Sequence, residues 1–243
     1  MNLTPCTRVA LAGALLLCST LAHAGIQLGA TRAILAAPAK ETSIAVNNRV
    51  DQDIMIQSWV EADGAVDAAD EGPDVPFAIT PALSRLGGLQ QQTLRIFYQG
   101  QGLPTDRESV FWLSVQEIPQ KSRQENVLQI AVRQRIKLFY RPAGLPGKPE
   151  EAAKGLRWQL GQQNGRSVLR VTNPSAYHVS LSSARLHDGA RSHVAETTMV
   201  APGATASFPF KTDAGRPSGN ASVSFEYVND YGGVDTLDSA LSP

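Results

Sequence analysis

The longest strand-like segment of this chain is V-L-Q-I-A-V-R-Q-R-I-K-L-F-Y-R, residues Val127–Arg141. Its fifteen residues follow a period of two, whereas strands of globular proteins usually have five or six residues. A fully extended segment of this length would reach roughly 50 Å. Its even-numbered positions are Leu128, Ile130, Val132, Gln134, Ile136, Leu138 and Tyr140. Its odd-numbered positions include Arg133, Arg135 and Lys137. The alternation predicts one long β-strand.

Two interpretations of this strand are open. In the first, it is an ordinary amphipathic strand with one face on a core and the other in water, which is the commonest kind of strand. In the second, it is an edge strand kept available for a partner, because an exposed apolar edge without such a use promotes aggregation. Leu128, Ile130 and Val132 would then be aliphatic anchors, each contributing about 1.5–3 kcal/mol when buried in the partner.

The rest of the chain also predicts strands. Short runs, several of them alternating, are separated by turn-forming Gly, Pro, Asn and Asp residues. Asn164-Gly165, between two such runs, predicts a tight hairpin turn. The other clear runs are Thr42–Val46, Ile54–Val60, Gln92–Tyr98, Val110–Val115, Ser167–Val171, His178–Leu181, Ala206–Phe210 and Ala221–Tyr227. This pattern indicates an all-β protein built as a sandwich or barrel.

A change in composition at Arg141–Lys154 divides the chain. This segment, R-P-A-G-L-P-G-K-P-E-E-A-A-K, carries three prolines and two glycines, which disfavour continued strand or helix. We therefore expect an N-terminal immunoglobulin-like domain over residues 25–142, a linker over 143–155 and a C-terminal immunoglobulin-like domain over 156–243. Each part has a suitable size for one β-sandwich.

The first 24 residues predict a cleaved export signal. Arg8 is their only charge, and Val9–Leu17 forms an apolar core too short to cross a bilayer. Small residues then stand in Ala22-His23-Ala24 at the spacing that a signal peptidase requires. We expect the mature chain to begin at Gly25.

The mature chain offers no general attraction for nucleic acid or anionic membrane. Removing Arg8 leaves 21 basic and 22 acidic residues, so any basic function depends on a few placed side chains. No later stretch approaches 18 unbroken apolar residues, so no membrane insertion is expected. Both cysteines, Cys6 and Cys18, lie in the signal, and the mature chain is expected to have no disulfide.

Side chains for enzyme chemistry do not occur in a recognisable spacing. His178, His187 and His193 lack a metal-ligand pattern, and we interpret them as surface or half-buried residues. The sequence has no phosphate-binding glycine loop and no G-x-S-x-G motif. The acidic segment from Asp63 to Asp74 lacks a calcium-loop pattern. We therefore expect a protein that is not an enzyme, with no catalytic residue, metal or cofactor.

Five segments of the chain together match a known sequence pattern. The two longest are L-P-T-D-R-E-S-V-F-W-L-S-V-Q-E-I-P (Leu103–Pro119) and N-V-L-Q-I-A-V-R-Q-R-I-K-L-F-Y-R-P (Asn126–Pro142). The shorter ones are G-A-T-R-A-I (Gly29–Ile34), T-N-P-S-A-Y (Thr172–Tyr177) and N-D-Y-G-G (Asn229–Gly233). They resemble the periplasmic pilus chaperones of the PapD-like, chaperone–usher family. The resemblance covers both predicted domains and implies two immunoglobulin-like sandwiches in a boomerang arrangement with a binding cleft between them.

The resemblance also implies partners and site residues. Incomplete immunoglobulin-like pilus subunits would receive the long strand by donor-strand complementation, and an outer-membrane usher would receive the loaded complex. The subunit's C-terminal carboxylate would be held by Arg32 and Lys137, two basic residues of the family pattern. An interdomain charge network maps onto Glu108, Arg141 and Asp230.

Two details of the resemblance can be tested only with the structure. Lys137 has the opposite parity to the anchors, so we expect a bulge or strong twist between Val132 and Lys137 to bring both to the partner. Ser114 stands where the family signature usually has Asn, so we expect the local hydrogen bond to be lost or mediated by water. A free chaperone could also cap its exposed strand by forming a dimer.

Two other classes of protein stay open as alternatives. A structural or adhesive fibre subunit could share the sandwich fold, but it should carry an extended N-terminal donor arm and often a cysteine pair. A periplasmic hydrolase is a more distant alternative, because no nucleophile and base can be paired from the sequence.

Overall fold

The computed structural model describes residues 25–64, 75–119, 130–212, 214–215 and 221–242 of the chain. The predicted signal and Leu128 lie outside the described residues. The first half contains nine strands: β1 Ile26–Leu28, β2 Arg32–Ala36, β3 Glu41–Asn48, β4 Ile54–Ala62, β5 Phe77–Thr80, β6 Leu83–Leu86, β7 Gln91–Tyr98, β8 Ser109–Ile118 and β9 Arg133–Arg141.

The second half contains one short helix and eight strands. They are α1 Pro149–Ala152, β10 Arg157–Gln163, β11 Arg166–Thr172, β12 Val179–Asp188, β13 Arg191–Ala195, β14 Met199–Val200, β15 Thr205–Pro209, β16 Ser222–Val228 and β17 Val234–Ala240. No helix in the described part of the chain has the length and apolar character needed to span a bilayer.

The nine strands of the first half form one β-sandwich. One sheet has the order β1-β3-β7-β5 and the other the order β2-β9-β8-β4-β6. The chain passes from β1 in the first sheet to β2 in the second across Gly29–Thr31. Aliphatic side chains of both inner faces interlock in the core, among them Val46, Leu94, Leu113 and Leu138, all fully buried. Alternation of buried and exposed positions along each strand places these residues inside.

The second half forms another sandwich with its own core. Its sheets have the orders β10-β11-β15 and β13-β12-β16-β17, with β14 paired to β12. Trp158 is fully buried and packs against Phe225, with 5.1 Å between the ring centroids. The fold is therefore all-β with two immunoglobulin-like sandwiches, as the sequence predicts.

The hairpin predicted at Asn164-Gly165 is present. Gln163 pairs with Arg166, which leaves two residues in the turn, and both have positive φ, 53° and 76°. Two positive φ angles match the right-handed twist of the flanking strands, and Asn followed by Gly adopts them at low cost.

The predicted linker is less irregular than expected. Pro149–Ala152 forms one helical turn, with Pro in its first turn where a backbone N–H needs no partner. Ala152 and Ala153 are buried in the second core, and Leu145 packs against it. The expectation of no helix here is wrong for this turn, because its small apolar side chains are covered by the second sandwich.

Candidate functional site

Strand β9 has different neighbours on its two edges. On one edge, β8 pairs with it in antiparallel register from Gln116↔Arg133 to Ser109↔Tyr140. On the other edge, β2 pairs in parallel register, beginning at Arg32↔Lys137. For Ile130–Gln134, the described residues supply no strand on this second side. Backbone groups at the start of β9 are therefore placed for pairing with another chain.

The pairing with β8 is regular and corrects one expectation. The Glu117 amide donates to the Val132 carbonyl at 2.9 Å, which continues the register of Gln116↔Arg133 without a shift. No bulge lies between Val132 and Lys137, so the expected bulge is wrong. Even-numbered side chains share the face of buried Leu138, and Lys137 lies on the opposite face.

Two of the three predicted anchors are described, and both are exposed. Ile130 is 68% exposed and Val132 is 44% exposed. They continue the even-numbered face of β9 past the point where the first core ends, beside a hollow that Gly25, Ile54 and Pro119 also line. Apolar side chains that leave a core and face solvent are suited to burial in a partner.

Arg32 and Lys137 are direct neighbours across β2 and β9. The second sandwich holds both side chains. Arg32 Nη1 donates to the Val228 carbonyl at 2.9 Å, and Lys137 Nζ donates to Ser180 Oγ at 3.0 Å. The guanidinium of Arg32 also lies 5.8 Å from the ring centroid of Phe139. Two strands of the first sandwich and two segments of the second thus converge on one basic pair.

The electrostatics of this pair favour an anion. Burial lowers the pKa of Lys137, and the neighbouring positive charge of Arg32 lowers it further. Burial also lowers the pKa of Arg32, against the attraction of Asp230 and Glu108. Among the described residues neither cation forms an ion pair, and Arg32 Nε is buried without a hydrogen-bond acceptor. A carboxylate would supply both the missing acceptor and the missing charge.

The three predicted network residues are in contact. Arg141 donates to Glu108 Oε2 from Nη2 at 2.8 Å and to Asp230 Oδ2 from Nη1 at 2.8 Å. Burial would lower the pKa of Arg141, but the hydrogen bond to Asp230 and the attraction of both carboxylates raise it overall. The network joins Glu108 and Arg141 of the first sandwich to Asp230 of the second. Arg141 engages both carboxylates. They are therefore not ion-pair partners of Arg32 or Lys137.

Sequence reasoning missed two members of this junction. His178 is half-buried, its Nδ1 lies 3.0 Å from Glu108 Oε1, and its amide donates to the same oxygen at 2.9 Å. The half-buried interpretation of this histidine is therefore confirmed, but its contact with Glu108 was not predicted. Ser180, the acceptor for Lys137, has no sequence signal beyond its place in a predicted strand. Both lie on or beside β12 of the second sandwich, whose orientation the sequence does not reveal.

The Asn229–Gly233 segment forms a tight turn at the same junction. Asn229 Oδ1 accepts hydrogen bonds from the amides of Tyr231 and Gly233. Gly232 has φ of +83°, and a methyl group there would overlap the Thr31 hydroxyl. Glycine is thus required both for the turn and for its close approach to the residue before Arg32.

Ser114 makes direct contacts, which corrects the expectation of a lost or water-mediated bond. Its hydroxyl donates to Glu61 Oε1 at 3.2 Å and accepts from Arg133 Nε at 3.3 Å. Arg133 lies over Trp59 and Arg135 over Trp112, and both arginines form ion pairs with Glu61. This cluster covers the outer face of β4, β8 and β9 and engages the odd-numbered side chains Arg133 and Arg135 within their own domain.

These features define a class of protein: two immunoglobulin-like sandwiches and one strand, β9, whose incompletely paired first part ends at a basic pair between them. Two family models match almost all of the described chain. The PapD N-terminal domain of pili and flagellar-assembly chaperones matches residues 25–146, and the C-terminal domain of the pili assembly chaperone PapD matches residues 151–239. The chain belongs to the PapD family of pilus-assembly chaperones, which are not enzymes.

Individual relatives agree with this assignment. The probable fimbrial chaperone YadV of Escherichia coli K12 is 38% identical over 218 residues, covering 87% of each chain. The chaperone protein FimB/FhaD of Bordetella pertussis is 37% identical over 245 residues, covering 96% of each chain. The crystal structure of the YadV chaperone superposes with a TM-score of 0.78 at 34% identity, over 90% of this chain and all of that one.

A structure of the Salmonella enterica SafA pilin in complex with the SafB chaperone is also similar. Its TM-score is 0.73 at 28% identity, and the match covers 89% of this chain and 96% of that one.

Proposed function

We propose that this protein is a periplasmic chaperone that binds incomplete immunoglobulin-like pilus subunits by donor-strand complementation and delivers them to an outer-membrane usher. One observation carries the proposal: the open edge of β9 ends where β2 begins, at Arg32 and Lys137. A subunit strand added to this edge lies in line with β2 and meets two cations that form no ion pair with any described residue.

The position of the basic pair sets the direction of the added strand. A carboxylate at Arg32 and Lys137 belongs to the C-terminus of a chain that runs along β9 from Ile130 toward Lys137. The subunit's last strand is therefore parallel to β9. Fixing its final residue also fixes the register, since a slip of one residue would turn every side chain to the other face.

The anchors act on the other face of the strand. Ile130 and Val132, with Leu128 before them, fill a groove that the subunit's missing strand leaves open. Each contributes about 1.5–3 kcal/mol on burial, before the cost of ordering is subtracted. The two faces of the strand have different roles. The basic pair on one face selects a chain terminus, and the aliphatic anchors on the other face supply affinity.

The network of Glu108, Arg141 and Asp230 sets the angle between the two sandwiches. Arg32 and Lys137 depend on this angle because their hydrogen-bond acceptors, Val228 and Ser180, belong to the second sandwich. A buried charge network adds little net stability but strongly disfavours arrangements that separate its members.

Two further findings support the assignment. The SafA–SafB structure is a complex of a pilin with a chaperone similar to this chain. The export signal predicted at residues 1–24 is consistent with a periplasmic location.

In the absence of a subunit, the open edge of β9 is available to a second copy of the protein, so we expect a self-capping dimer that a subunit displaces.

The test is co-expression with candidate pilus subunits, followed by native mass spectrometry of periplasmic extract. The wild-type protein should give a one-to-one complex. Arg32→Ala and Lys137→Ala should each fold but reduce capture at least 100-fold, because a desolvated carboxylate would lose a charged partner.

Matched controls distinguish a specific effect of the basic pair from a general effect of removing one positive charge. Arg95→Ala removes an exposed arginine of β7 that pairs with Glu41, and Lys148→Ala removes a lysine next to α1. Both controls should capture subunits like the wild type. Wild-type levels of complex from either Arg32→Ala or Lys137→Ala would refute the proposed carboxylate site.

A further inference from the structure

Gly25 lies against the carboxylate of Glu117, at the far end of the first sandwich from the basic pair. A methyl group built on Gly25 would overlap both carboxylate oxygens of Glu117. Because a Cβ atom lies about 2.5 Å from the nitrogen on the same Cα, the Gly25 nitrogen is at most about 4.4 Å from Glu117 Oε2. Any residue other than glycine would have to push this carboxylate away.

Gly25 is held firmly in this position. Its carbonyl accepts a hydrogen bond from the Arg49 amide at 2.8 Å. The next residue, Ile26, begins β1, is fully buried and pairs with Asn48. Gln134 Nε2 also donates to the Ile26 carbonyl at 2.6 Å. The nitrogen of Gly25 is thus placed by the strand that follows it.

Glu117 lacks a partner for the oxygen that faces Gly25. Oε2 is buried and accepts no hydrogen bond from any described residue. A buried carboxylate oxygen without a hydrogen-bond donor is unfavourable. The hollow around it carries two further acidic residues, Asp51 and Asp53, and no Lys or Arg among its described lining residues. Asp53 is engaged by Arg85, which leaves the surroundings of Glu117 suited to a cation.

We propose that this hollow is a binding site for the chain's own α-ammonium group, created when the signal is removed before Gly25. In the precursor, the nitrogen of Gly25 is an amide with a single proton. Cleavage turns it into an ammonium with a positive charge and three donors beside the unpartnered Glu117 oxygen. The PapD N-terminal family model also begins its match at residue 25, where the sequence predicts the cleavage.

The ion pair links maturation to the donor strand. The amide of Glu117 donates to the Val132 carbonyl, and Val132 and Ile130 line the same hollow. Fixing Glu117 therefore steadies the point at which the exposed anchors leave the first sandwich. This device is independent of the basic pair and of subunit binding.

The first test is the mass of the exported protein, which must correspond to a chain that begins at Gly25. A different first residue would overturn the proposal. The second is a double-mutant cycle on the mature protein. A chain that keeps one additional residue, Ala24, retains the ammonium but moves it about 3.8 Å away. We compare this extension with the native start, in the presence of Glu117 and of Glu117→Gln, by urea unfolding.

The extension should lower the folding equilibrium constant about tenfold with Glu117 and less than about twofold with Glu117→Gln. Glu151→Gln, an exposed glutamate of α1, is the matched control and should leave the tenfold effect intact. An equal effect of the extension in the Glu117 and Glu117→Gln backgrounds would overturn the proposal. If Glu117→Gln proves too unstable, N-terminal acetylation of the mature chain supplies the same comparison by removing the charge, and an unchanged folding constant would count against the ion pair.

Discussion

The two halves of the long strand share one neighbour and differ in the other. From Lys137 to Tyr140, β9 lies between β8 and β2, and Leu138 and Phe139 are buried. From Val132 to Gln134, the register with β8 continues, but β2 is no longer alongside. The amino acids of the two parts are similar in kind. The residue at which β2 begins determines which part of the strand is paired on both edges and which part has one free edge among the described residues.

This comparison predicts that substitutions in the first half weaken subunit binding, whereas substitutions in the second half lower the stability of the fold. Ile130→Asp and Val132→Asp should weaken subunit binding more than 100-fold, because each removes an apolar contact and carries a charge into the subunit groove. Their unfolding free energies should change by less than about 0.5 kcal/mol, since both side chains are exposed. Leu138→Ala should instead cost about 2–5 kcal/mol of stability.

Urea unfolding and titration with a purified subunit measure the two effects separately. The folded fraction of Leu138→Ala should bind with nearly wild-type affinity, because Leu138 faces its own core. Equal losses of stability from Val132→Asp and Leu138→Ala would mean that the start of the strand belongs to the core of its own domain, and the distinction between the halves would fail.

A second prediction concerns the backbone of the open half. The Val132 carbonyl faces β8, so the backbone groups of Ala131 and Arg133 point to the side without a strand. Ala131→Pro removes one N–H from that side and adds a ring to it, without touching the β8 pairing. Binding should weaken by about 2 kcal/mol, or about thirtyfold, from the lost hydrogen bond and the steric conflict.

Ala131→Val is the matched variant, because it changes the side chain and keeps the N–H. It should bind within about threefold of the wild type. If the proline and valine variants bind alike, the backbone of this edge takes no part in subunit recognition, and only side-chain contacts would remain to explain it.

The sequence predicts the strands well and the site only in part. Period-two alternation marks β3, β4, β7 and β8 because one side of each strand faces a core. It does not reveal where β2 stops along β9, since strand pairing is a tertiary property. Arg32 and Lys137 are found only through their resemblance to a family pattern. As single residues, each would be interpreted as a solvated charge on a strand.

The errors have physical causes as well. Ser180 and His178 come from the second sandwich, and their contacts depend on how the two domains dock. The bulge was expected because both faces of β9 were assumed to meet the same part of a partner. The regular register places the anchors and Lys137 on opposite faces. In the proposed complex, the subunit therefore contacts both faces of the strand along its open edge.

The smallest predicted effect is a pH dependence that arises where the two halves meet. Burial and the charge of Arg32 lower the pKa of Lys137 below its usual value of about 10.4. In the free chaperone, Lys137 therefore loses its proton earlier than an exposed lysine as the pH rises. A bound carboxylate favours the charged form and raises this pKa again, so binding takes up a proton in this range.

The sign follows from the same shift. Affinity for a subunit should fall as the pH rises through the lowered pKa of free Lys137, by at most about tenfold per pH unit. Stability should change in the opposite direction: between the folded and unfolded pKa values the unfolded state binds more protons, so the free chaperone becomes more stable as the pH rises. Lys137→Arg keeps its charge throughout and should flatten both profiles. Titrations with subunit and urea unfolding across this range measure the two slopes. Slopes of the same sign would mean that Lys137 is not the group that titrates, and the basic pair would then be a fixed charge set by β2 and β9 alone.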